Sequence, residues 1–173
     1  SAAVARNRVE AMLQNTRIRL DVARLLLPLY EAENDVGRIL RVLEVEIAEA
    51  PGIDDRLELL GRCATLAERD LGQPGKAYDY AARAAEESVG EPSFGQCVVR
   101  AEALAEAASR IVDWALLLER IAGNVVDDDE RAELFARLGR LYRDKLDHKG
   151  DALAWFEKAR EVRGEEPETL TAL

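Results

Sequence analysis

The stretch Arg131-Ala132-Glu133-Leu134-Phe135-Ala136-Arg137-Leu138-Gly139-Arg140-Leu141-Tyr142, continued by Ala152, Phe156 and Ala159, decides how this chain is read. Leu134, Leu138, Leu141 and Tyr142 recur at helical spacing and give one helix face an apolar stripe. Moved back by 75 residues, the stretch meets its own likeness. Arg56, Glu58, Leu59, Arg62, Leu66, Leu71, Gly75, Ala77, Ala84, Glu86 and Pro92 fall on Arg131, Glu133, Leu134, Arg137, Leu141, Leu146, Gly150, Ala152, Ala159, Glu161 and Pro167. The same offset carries Leu29, Glu31, Ala32, Leu43 and Glu44 onto Leu104, Glu106, Ala107, Leu118 and Glu119. Sixteen coincidences in one ungapped register exceed what shared leucine and alanine supply, so the chain contains an internal repeat.

Each unit divides again. Leu29 aligns with Leu66, giving a half-unit of 37 to 38 residues, the length of paired-helix repeats. Alternating β-branched and aromatic runs, the mark of strands, are absent from the sequence, so the fold class is all-α. Apolar spacing predicts helices at about 2–14, 17–33, 35–49, 55–71, 74–88, 93–109, 111–123, 128–146 and 150–163, with a further start at 167. Pro51, Pro92 and Pro167 stand at half-unit ends, where proline stops one helix and tolerates the first turn of the next. Thr16 is placed to cap the second helix, while Ser93 with Gln96 and Asp127 with Glu130 have capping-box spacing. Pro28 conflicts with its setting. Inside a helix it lacks a donor and crowds the Arg24 carbonyl, which predicts a late start or a kink, tolerated on an outer face or opening a groove.

Composition bounds the function. The 173 residues, at 19.2 kDa, suffice for a sizeable core. Lysine and arginine number 24 against 34 aspartates and glutamates, for a net charge of −10, which argues against nucleic acid or an anionic membrane as partner. The longest apolar run, Leu25 to Tyr30, is too short to span a bilayer, and Ser1 to Arg8 lack leader character, so the expected location is cytoplasmic. Arginine outnumbers lysine heavily, a bias associated with GC-rich bacterial genomes. The sole methionine is Met12, so Ser1 is not a translation start. Both ends read as cut from a longer array: Ala2 and Arg8 fall on Ala77 and Arg83 of a second helix, and a new helix opens near Pro167.

At this point the residues resemble tetratricopeptide repeats, with a likeness to the long arrays of large bacterial proteins. Half-unit 131–166 carries Leu138-Gly139, Tyr142, Ala152, Phe156 and Ala159 close to the family's Leu-Gly, Tyr, Ala, Phe and Ala signature, with one extra residue in the turn Asp147-His148-Lys149-Gly150. Half-unit 56–91 keeps Ala77 and Ala84 but has Cys63-Ala64 where Leu138-Gly139 stand. Half-unit 20–51 retains Tyr30 and Pro51, and 95–127 mainly its leucine and alanine spacing. The small residues let helices approach while Phe135, Tyr142 and Phe156 fill the space between them.

The resemblance implies one domain over 1–173, a right-handed superhelical solenoid of antiparallel helix pairs. Its repeats would be 16–53, 54–91, 92–127 and 128–166, flanked by 1–15 as the second helix of a preceding repeat and 167–173 as the start of a next helix. Such folds bind a peptide or partner protein on the concave face. No catalysis and no cofactor is expected. The family's groove pattern falls on Arg24, Pro28 and Glu31; Gly61, Thr65 and Glu68; Val99, Ala103 and Glu106; and Ala136, Arg140 and Arg143. Glu31, Glu68 and Glu106 would form an acidic line facing a partner's cations, with Arg140 and Arg143 beyond it. The lysine, asparagine and arginine set that clamps chaperone carboxylates is missing from the first three pairs. Self-association through the cut ends is the alternative to a separate ligand.

Other motifs carry less. Gly72-Gln73-Pro74-Gly75-Lys76 lacks P-loop spacing and reads as a turn with Pro74 opening a helix, and Asp127-Asp128-Asp129-Glu130 lacks the alternation of a calcium loop. Cys63 and Cys97 read as buried free thiols, and His148, the single histidine, as a solvated turn residue. Trp114 reads as interhelical filler; of the neighbours Trp155 and Phe156, one is expected to point outward.

Overall fold

A computed structural model describes residues 2–164, all of whose regular structure is helical. After α1 (Ala2–Ala11) and a 3-10 turn at Met12–Gln14 come α2 (Arg19–Ala32), α3 (Val36–Glu49), α4 (Ile53–Arg69) and α5 (Pro74–Glu87). Then follow α6 (Phe94–Ala107), α7 (Ile111–Asn124), α8 (Asp128–Asp144) and α9 (Lys149–Arg163). The predicted helix start at 167 lies outside the described residues.

The repeat seen in the sequence is carried into the backbone. Shifted by 75 residues, α2, α3 and α4 land on α6, α7 and α8 at both ends, and α5 lands on the start of α9. The turns obey the same register. Asn34, Gly72, Ser109 and Asp147 all adopt positive φ, at 53°, 60°, 56° and 55°, and each sits between the two helices of a pair. The Asp35 amide donates to the Tyr30 carbonyl at 3.0 Å, and its equivalent Arg110 to Ala105 at 2.8 Å. Gln73 donates to Ala67 at 2.9 Å and His148 to Tyr142 at 2.8 Å. The extra turn residue expected only at 147–150 therefore occurs in the α4–α5 connection as well.

The chain divides into two units, Ser1–Ser88 and Val89–Leu173. In the first, α2 packs on α3, α3 on α4 and α4 on α5, with α1 against α2. Its core is built from Leu26 and Tyr30 of α2, Leu40, Leu43 and Ile47 of α3, Leu60 and Ala64 of α4, and an alanine-rich face of α5 holding Tyr78 and Tyr80. In the second, α6 packs on α7, α7 on α8 and α8 on α9, around Leu104, Trp114, Leu118, Ile121 and Leu138.

Gly139 shows why a small residue is required on α8. A Cβ there would lie 2.7–2.8 Å from three ring atoms of Phe156. The equivalent positions in the first unit, Ala64 and Ala81, are both buried alanines, so volume removed from one helix reappears on the other. Trp155 is buried and stacked on Phe135 at 5.6 Å between ring centroids, while Phe156 is half-buried against Gly139; neither is the outward platform expected.

The caps agree in part. Asp127 accepts from the Glu130 amide at 2.8 Å, as its spacing predicts. Ser93 makes no side-chain cap, and Thr16 is not a cap, because α2 begins at Arg19 and Asn15 Oδ1 accepts from the Arg17 amide instead. Asp35, unremarked in the sequence, caps α3 by accepting from Arg38 at 3.0 Å. Helix α2 starts late and runs through Pro28, which lies on its exposed face together with Arg24, so the carbonyl deprived of a donor is on the water side.

Candidate functional site

The residues singled out by the groove pattern lie on the first helix of each pair. In the first unit Arg24, Pro28 and Glu31 on α2 and Gly61 on α4 are exposed, and Thr65 and Glu68 on α4 are half-buried. In the second unit Val99, Ala103 and Glu106 on α6 and Arg140 and Arg143 on α8 are exposed, and Ala136 is half-buried.

Most of their polar groups are already engaged. Glu31 pairs with Arg62, joining α2 to α4. Its repeat equivalent Glu106 pairs with Lys145 Nζ at 3.0 Å, joining α6 to the end of α8. The Thr65 hydroxyl donates to the Gly61 carbonyl of its own helix at 3.0 Å. Arg140 pairs with Glu133 at 2.6 Å. Arg143 pairs with Asp144 at 2.6 Å and lies 5.7 Å above the Phe156 ring, and this pairing lowers the Asp144 carboxyl below its ordinary range. Glu31 and Glu106 thus serve first as clasps between successive helix pairs. As exposed pairs each is worth about 0.2–1 kcal/mol.

Two buried-edge networks escaped the sequence reading. Glu102 on α6 accepts from Trp114 Nε1 of α7 at 3.2 Å and from Arg137 of α8 at 3.0 Å, tying three helices through one carboxylate. In the first unit the Tyr30 hydroxyl donates to Glu10 at 2.5 Å, and Arg38 lies 3.5 Å from the same carboxylate and 5.6 Å from the Tyr30 ring centroid. Burial first, then the bond to Glu10, pushes the Tyr30 hydroxyl up to about 12. Burial likewise pushes the Cys63 thiol up to about 12, with Glu44 adding to it. Cys97 is half-buried rather than buried, and His148 is exposed with Nδ1 3.2 Å from Asp151.

The largest opening in the first unit is a cleft of about 380 Å³ where the start of α2, the end of α3 and the start of α4 meet. Of the residues singled out beforehand only Arg24 lines it. Leu20, Ala50, Pro51 and Leu59 form its apolar part, and Glu46, Glu49, Asp55 and Glu58 its acidic part. The signal that would have found it is the repeat itself. At the equivalent positions Glu46 and Glu49 are replaced by Ile121 and Asn124, and Arg24 by Val99.

Among the described residues no group of three or more His, Cys, Asp or Glu side chains is placed to hold a metal ion, and no helix is long and apolar enough to cross a membrane. No family model matches the sequence, and no curated protein matches it.

Proposed function

We propose that this chain is a protein-interaction module of the tetratricopeptide kind, a right-handed solenoid of antiparallel helix pairs that binds a peptide or partner protein along a groove lined by the first helix of each pair. The observation that carries the reading is the 75-residue register shared by helix limits, turn residues and turn hydrogen bonds. A repeat kept this closely is the architecture of stacked helix pairs, whose exposed first-helix faces form an extended surface. Groove binding of this type has dissociation constants of about 1 μM, or roughly −8 kcal/mol. Exposed ion pairs supply little of that, so packing on side chains such as Leu25, Leu29 and Val99, which are 62%, 48% and 56% exposed, must supply most.

Selection of a random peptide library on the immobilised chain tests this. The reading expects convergence on one motif with saturable binding; enriched peptides without a common motif contradict it.

A second reading, self-association of a structural segment, is favoured by Val112 and Leu116 on α7 and Leu153 on α9, which are 57%, 57% and 60% exposed. Sedimentation over a wide concentration range separates the two. A monomer throughout counts against self-association, and a mass that rises with concentration supports it.

A further inference from the structure

We infer that the cleft between α2, α3 and α4 is a docking site for a lysine or arginine side chain of a polypeptide partner, an inference that rests on the interaction reading above. The cleft's volume, about 380 Å³, is within the range of clefts that hold small ligands or single side chains. Its floor, including Leu20, Pro51 and Leu59, is apolar, whereas its rim is acidic. That arrangement matches a side chain with a long apolar stem and a cationic tip.

The charges around the rim are unbalanced. Glu49 is engaged by Arg19. Glu46, Asp55 and Glu58 make no ion pair or hydrogen bond among the described residues, and the single cation lining the cleft, Arg24, is not within ion-pair distance of any of them. Three carboxylates left facing one cleft repel each other and favour an incoming cation. They are not placed to chelate a metal ion.

The second unit supplies an internal control. On α7, which has the same limits in the repeat register as α3, the counterparts of Glu46 and Glu49 are Ile121 and Asn124. Val99 stands for Arg24 and Val126 for Pro51. A helix pair of this kind folds without charges at these places, so the acids of the first unit answer to something other than folding.

The test measures binding of a fluorescent lysine hexamer to the intact chain by anisotropy. The first variant is Glu46→Gln, Asp55→Asn and Glu58→Gln; the second, Glu119→Gln, Asp129→Asn and Glu157→Gln, removes the same charge elsewhere. The first variant should weaken binding roughly tenfold and the second less than about twofold. A hexamer of 2,4-diaminobutyrate, with equal charge on shorter stems, should bind more weakly than the lysine hexamer.

Equal losses in both variants would mean diffuse attraction to a chain of net charge −10 and would overturn the proposal. Equal affinity for the two hexamers would remove any role for the apolar floor and overturn it too. Spermine binding as tightly as the lysine hexamer would reassign the cleft to free polyamines. Should the triple variant misfold, Glu58→Gln alone, on the exposed face of α4, repeats the comparison. A convergent peptide motif without basic residues would leave the interaction module standing while removing this site from it.

Discussion

Gly139 and Gly61 are both glycines within long helices, yet they carry opposite predictions. A methyl group at 139 meets the Phe156 ring at 2.7 Å, while at 61 it meets nothing within 4 Å. Gly139→Ala should therefore lower stability by about 1–3 kcal/mol through overpacking between α8 and α9. Gly61→Ala should raise it by about 0.5–1 kcal/mol through helix propensity. Urea unfolding of the two variants checks both. A third residue-scale test concerns Ser109, held at φ 56° in the turn between α6 and α7. Ser109→Gly should stabilise the chain by about 0.5–1 kcal/mol, because glycine enters this region without the Cβ conflict. The need for a small residue at 139 was legible in the sequence, since its Leu-Gly step recurs in a known packing pattern. The left-handed turn at Ser109 was not, because serine carries no signal for that backbone state; only its alignment with Gly72, one half-unit earlier, betrays it.

Helices are local objects, and their limits were readable because apolar spacing, prolines and Asp127 act within one or two turns. The ties between helices are not local. Arg62 meets Glu31 across 31 residues, Arg137 meets Glu102 across 35, and Arg83 meets Glu44 across 39. These separations lie near the half-unit length, so each pair links one helix to its counterpart in the next half-unit. No periodicity marks which charges do this, and Glu31 and Glu106 consequently read as partner-facing when they are first of all clasps. Glu102 is the most consequential of these ties. Trp114 is fully buried and its indole N–H has Glu102 as acceptor. Glu102→Ala should cost about 1–3 kcal/mol by leaving that donor unsatisfied and releasing Arg137. Glu102→Gln, which keeps an acceptor, should cost less; equal losses for both would show that the carboxylate's hydrogen bonds do not matter.

For the molecule as a whole, the buried tyrosine and thiol of the first unit set an alkaline limit. Free tyrosine and cysteine ionise near 10 and 8.5, whereas Tyr30 and Cys63 in the fold ionise at about 12. Below the free values both groups are protonated in folded and unfolded chains, and their contribution is complete. Between the free and folded values only the unfolded chain sheds the proton, so stability falls as pH rises, by up to about 1.4 kcal/mol per pH unit for each group. The folded chain should lose stability from about pH 9 upward, and Tyr30→Phe should flatten the steeper part above about pH 10. Unfolding curves across that range provide the check; a flat profile to pH 11 contradicts it.

The acidic cleft was the feature least accessible to the sequence. Its walls come from three helices, and its acids look like ordinary solvated charges until the fold brings them around Leu20, Pro51 and Leu59.

The central claim is that first-helix faces bind a polypeptide. Backbone NMR of the labelled chain, titrated with the peptide that emerges from library selection, addresses it directly. The account predicts saturable shifts concentrated on α2, α4, α6 and α8, with the α2–α3–α4 cleft among them. Saturable shifts confined to α3, α5, α7 and α9, or no saturable shifts with any selected peptide, would contradict it.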